Sequence, residues 1–171
     1  PGPHADHRTR PAWGPQRRGA GRGDVASAPP AVAAVEAWTA RDTADGAARR
    51  ARELGAPLTF VHVRPRLSAA LGHPTYQNRL TRDLNSGRHA LDLAIAAANA
   101  RGIMAHGEII EGDAAQGILE LAAGRRARLL VVGPRRKRFG KSVSRQLLRT
   151  ARISVFGLSG GRWHHVPGLR S

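Results

Sequence analysis

The stretch ARLLVVGPRRKRFGKSVSRQLLRTARISV (Ala127–Val155) decides the architecture. It opens on Leu129–Val132, an apolar run with little polar alternation, which is the pattern of a strand covered on both faces. After a basic loop, Ser142–Thr150 repeats with helical spacing: Val143, Leu147 and Ala151 share one face, while Arg145, Arg149 and Arg152 share the other. Ile153–Phe156 is short and apolar again. A strand, a helix and a strand in so short a span predict a crossover between parallel strands.

The same alternation extends toward the amino terminus. Leu58–Val63 (LTFVHV) predicts a buried strand, Ile103–Ile110 another, and Ala31–Glu36 a weaker one. Helical patterns separate them. Ala40, Ala44, Ala47, Ala48 and Ala51 recur on one face, opened by Thr39-x-x-Asp42 as a capping box and stopped by Gly55 and Pro57. A looser segment, Arg64–Tyr76, precedes a helix over Gln77–Ala100 with Leu84, Leu91, Ile95 and Ala98 inward and Gly102 at its end. Asp113-x-x-Gln116 caps a third helix carrying Ile118, Leu119 and Ala122. The order predicts an α/β fold, a five-stranded, mostly parallel sheet with helices on both faces, Rossmann-like in plan. Residues 1–30 and 158–171 are rich in Arg, Pro and Gly without apolar period, and read as disordered tails around a domain spanning 31–157. Ligands of such sheets sit at the carboxyl ends of strands near the switch in strand order. That rule brings Glu36, Val63 and Gly133 to one edge.

Gly140-Lys141-Ser142 invites comparison with a P-loop, which requires G-x-x-x-x-G-K-[ST]. The position of the first glycine holds Arg135, and the four basic side chains Arg135–Arg138 would crowd a nest of backbone N–H groups wrapped on phosphate. The P-loop reading therefore fails. Other motifs are weak. His62 lies inside an apolar strand and reads as a packed, hydrogen-bonded residue; His164-His165 has no third ligand at metal-site spacing. Glu108, Glu111 and Asp113 cluster, but Asp113 is better explained as a cap. No nucleophile elbow or H-E-x-x-H occurs, so no catalytic residue is assigned and the protein is expected not to be an enzyme.

Several pieces resemble the universal stress protein family, in the right order: ARELGAPLTFVHV (Ala51–Val63), EGDAAQGILELA (Glu111–Ala122), ARLLVVG (Ala127–Gly133) and KSVSRQLLRTARISV (Lys141–Val155). The resemblance covers about residues 31–156. Nucleotide-binding members carry G-x2-G-x9-G-[ST] after the fourth strand. Gly133 matches the first glycine and Ser142 the Ser/Thr, whereas Arg136 and Lys141 stand where the other glycines belong and the loop is shortened by about five residues. The resemblance implies that ATP or a related adenine nucleotide binds with its ribose near Glu36, its base near Val63, and its phosphates over Val132, Gly133, Arg135, Ser142, Val143 and Ser144. It also implies a homodimer paired through the last strand, where Ile153–Phe156 would be an unprotected edge, and a role in signalling. The alternative is a member without nucleotide binding that acts as a dimeric interaction module.

Charge fits an anionic ligand. The formal net charge is +16, and residues 125–152 hold eleven Lys or Arg and no acid. A nucleic-acid partner is disfavoured because aromatic stacking platforms are lacking, with aromatics at 4%. The absence of Cys excludes disulfides, thiolate metal sites and Cys nucleophiles. No run approaches membrane-spanning length and no signal peptide is legible, so a cytoplasmic protein without membrane contact is expected.

Overall fold

Alternating strands and helices assemble as the sequence pattern predicts. The computed structural model describes residues 29–36, 38–68, 70, 72–133, 143–159 and 162–167. The elements are β1 (Ala31–Ala34), α1 (Ala40–Leu54), β2 (Leu58–Arg64), α2 (His73–Asn99), β3 (Ala105–Glu111), α3 (Ala114–Gly124), β4 (Leu129–Val132), α4 (Val143–Thr150), β5 (Ser154–Ser159) and β6 (Arg162–Val166). The sheet order is β3-β2-β1-β4-β5-β6, parallel except for the antiparallel β5–β6 pair.

Successive strand residues face opposite sides, and each side has its own core. Ala31, Ala33, Leu58, Phe60, Leu129, Val131 and Phe156 pack under α1 and α2. Val32, Val61, Leu130, Val132 and Val155 pack under α3 and α4. The five alanines predicted for the inner face of α1 are all buried. Small side chains there let the helix lie close to the sheet.

Two of three local expectations change. The Thr39 side chain makes no capping bond; its backbone is not extended as an N-cap requires, and its hydroxyl lies 3.5 Å from the Glu36 carbonyl instead. Asp113 does cap α3, accepting the Gln116 N–H at 2.9 Å. Helix α2 begins at His73 inside the segment read as loose, because Pro74 in the first turn is compatible with a helix start.

The carboxyl-terminal reading needs correction. Among the described residues the sheet has six strands rather than five. Residues 158–171 were expected to be a tail, yet β5 runs to Ser159 and Arg162–Val166 pairs with it as β6. Trp163 anchors the added strand. Its ring packs against the buried Gly46 of α1, where a Cβ would come within 2.1 Å of the indole, and it lies 6.0 Å from the Phe156 ring. Ile153–Phe156 is therefore not an unprotected edge, since β6 occupies the outer side of β5. Residues 1–28 of the predicted amino-terminal tail lie outside the described residues.

Candidate functional site

The switch in strand order falls between β1 and β4, which run side by side while their helices diverge to opposite faces. Their carboxyl ends border a cleft of about 70 Å³. Val35, Val61, Val63, Ile118, Val132 and Val143 make its apolar walls, with Glu36, Thr39 and Gly133 at its polar part. Strand register explains the convergence: Ala34 pairs with both Val61 and Val132, so the residues that follow these strands end at one level.

Of the residues singled out in the sequence, Glu36, Val63, Val132, Gly133 and Val143 all line this cleft. Arg135 and Ser142 lie outside the described residues. Ser144 belongs to the first turn of α4. The amino end of α4 brings N–H groups without intrahelical partners and the positive end of the helix dipole to the cleft at Val143.

Glu36 is exposed, and its Oε2 accepts the Trp38 indole N–H at 2.8 Å. It is the only ionisable side chain among the described cleft walls. His62 is the hydrogen-bonded packing residue expected, its Nδ1 3.0 Å from the Val35 carbonyl. That bond ties the end of β2 to the segment leaving β1, and the Val35 N–H bonds to the Val61 carbonyl at 2.9 Å.

Thr39, Thr43 and Trp38 were missed by sequence reasoning. Thr39 and Thr43 stand one helical turn apart at the start of α1 and face Gly133. A Cβ on Gly133 would lie 2.1 Å from Thr43 Oγ1 and 3.2 Å from Thr39 Oγ1. The available signal was two threonines at i and i+4 on an otherwise alanine-lined inner face. Thr43 is fully buried, and its hydroxyl has no hydrogen-bond partner among the described residues. Gly133 is not among the described glycines with left-handed φ, which are Gly55, Gly102 and Gly112. Space, not backbone conformation, requires glycine at 133.

Doubly wound order, a cleft at its switch point and a helix amino terminus beside that cleft define an α/β protein of the class that takes ligands at strand carboxyl ends. The model of the universal stress protein family matches residues 32–156, and the chain belongs to that family. Solved structures agree. A universal stress family protein from Burkholderia pseudomallei is 26% identical, with 77% of this chain and 97% of that chain covered at a TM-score of 0.62. The Archaeoglobus fulgidus universal stress protein in complex with dAMP is 24% identical, covering 76% and 97% at a TM-score of 0.60. An Arabidopsis thaliana family protein with AMP bound is 18% identical, covering 76% and 91% at a TM-score of 0.55. No curated protein sequence matches the chain. Among the described residues, no helix is long and apolar enough to cross a membrane.

Proposed function

We propose that this protein binds an adenine nucleotide, ATP or a related species, in the cleft between β1 and β4. It then acts as a non-catalytic signalling module in the cytoplasm, through self-association or a partner. One observation carries the reading: Glu36, Val63, Gly133 and the amino end of α4 meet at the switch point of strand order. In this arrangement the base lies against Val63, the Glu36 carboxylate accepts from a ribose hydroxyl, and the phosphates face the α4 terminus. The dAMP and AMP complexes of the two similar proteins support this choice of ligand. Self-association through this side of the sheet would use β6, the edge strand here.

A second reading is a family member that binds no nucleotide and serves as an interaction module. Two facts favour it. Arg136 and Lys141 replace glycines of the family pattern, and Gly133 already has a packing reason in Thr43. Equilibrium dialysis against ATP and AMP separates the two. Saturable binding that weakens about tenfold in Glu36→Gln, the worth of one hydrogen bond to a charged group, supports the nucleotide reading. An absence of saturable binding at millimolar nucleotide leaves the interaction module.

A further inference from the structure

A larger hollow, about 300 Å³, lies at the opposite end of the sheet, where the strands of the parallel set begin. Its apolar part is built by Leu129 at the start of β4, Phe156 of β5 and Leu54 near the end of α1. Leu129 and Phe156 belong to the core under α1 and α2, so the base of the hollow is fixed by packing. Leu54 is 52% exposed, a large apolar side chain left in water on the wall of a concavity. Its polar part comes from three separate segments. Arg50 extends from α1 one turn before Leu54, Arg128 precedes β4, and His165 stands on β6 opposite Phe156 in the strand register.

The two parts are physically joined. The Arg50 guanidinium carbon sits 4.0 Å from the Phe156 ring centroid, a cation–π contact that holds positive charge over the apolar base. The His165 ring stacks at a tilt on the same phenyl group, 5.5 Å between centroids. Arg50 is paired with Glu53 on the outer side of α1. Among the described residues, Arg128 makes no ion pair and no carboxylate lines the hollow. Exposed Leu54 beside Arg128 gives the hollow one apolar and one cationic feature, and a ligand with both characters fits it.

We propose that this hollow is a second binding site, distinct from the Gly133 cleft, for a small organic anion: a carboxylate attached to a compact apolar body. The apolar body covers Leu54, the large apolar side chain left exposed on the wall, and removes its surface from water. The carboxylate pairs with Arg128, with Arg50 and His165 at its flank. Because β6 supplies His165 and Trp163 packs beside Phe156, occupation of the site also fixes β6 on the sheet.

The test is calorimetric titration of the full chain with 2-naphthoate, and with the neutral isostere 2-naphthamide. Naphthoate is expected to bind saturably with one site per chain and to change Trp163 fluorescence. Naphthamide is expected to bind about tenfold more weakly, because it forfeits a charge-assisted bond. Arg128→Gln should weaken naphthoate by a similar factor and leave naphthamide unchanged. The side chain is exposed, so the fold should survive; a thermal midpoint within a few degrees of wild type checks this, and Arg50→Gln is the second variant. No saturable heat at millimolar naphthoate, equal affinity for the two compounds, or unchanged naphthoate affinity in both variants would overturn the proposal.

Discussion

At Gly133 one atom decides between two explanations. A phosphate-binding loop needs glycine so that backbone can approach a ligand; here glycine is needed so that β4 can approach α1. Adding a methyl group should show which matters to the fold. Gly133→Ala places a Cβ 2.1 Å from Thr43 Oγ1, and such overpacking costs about 1–3 kcal/mol. Thr43→Ala in the same chain removes the obstacle and should restore most of that loss, measured by urea unfolding of the single and double variants. Additive losses would contradict the contact. Gly133 was legible as a site residue without this constraint, because Thr43 reaches it only through the sheet order. The Asp113 cap was legible because that contact is local, between residues three apart.

At the scale of elements, legibility follows the range of the interactions. The alanine face of α1 and the apolar runs of β2 and β4 encode their own burial, and they fold where the pattern puts them. Helix α2 starts at His73, earlier than its apolar period, because Pro74 in the first turn has a backbone preorganised for a helix start. Strand β6 was missed because RWHHV has no apolar period; its strand character comes from pairing with β5 and from Trp163 seated on Gly46. Gly160-Gly161 between Ser159 and Arg162 was the available signal, two residues of the kind that joins hairpin strands. The Trp163–Gly46 contact predicts a reversal of sign. Helix propensity alone makes Gly46→Ala stabilising by about 1 kcal/mol, but in this chain the new methyl group displaces the indole and should destabilise. In a Trp163→Ala background the same substitution should stabilise. Denaturant melts of the four chains read this directly, and a stabilising Gly46→Ala in the wild-type background would show that β6 is not docked on α1.

At the scale of the molecule, strand order creates two ends with different chemistry. The carboxyl ends of β1 and β4 meet at the Gly133 cleft beside the amino end of α4. The amino ends of β4 and β5 border the Arg50–Arg128–His165 hollow. The alternation of elements made the first end legible from sequence, since the switch-point rule needs only their order. The second end was not, because it depends on β6 and on side chains far apart in the chain. The central claim is that an adenine nucleotide binds at the first end. Amide chemical-shift mapping of the isotope-labelled protein during an ATP titration tests it most directly. Saturable shifts concentrated at Glu36, Val63, Gly133 and Val143 are expected; no saturable shift at millimolar ATP, or shifts confined to Arg50, Arg128 and His165, would contradict nucleotide binding there.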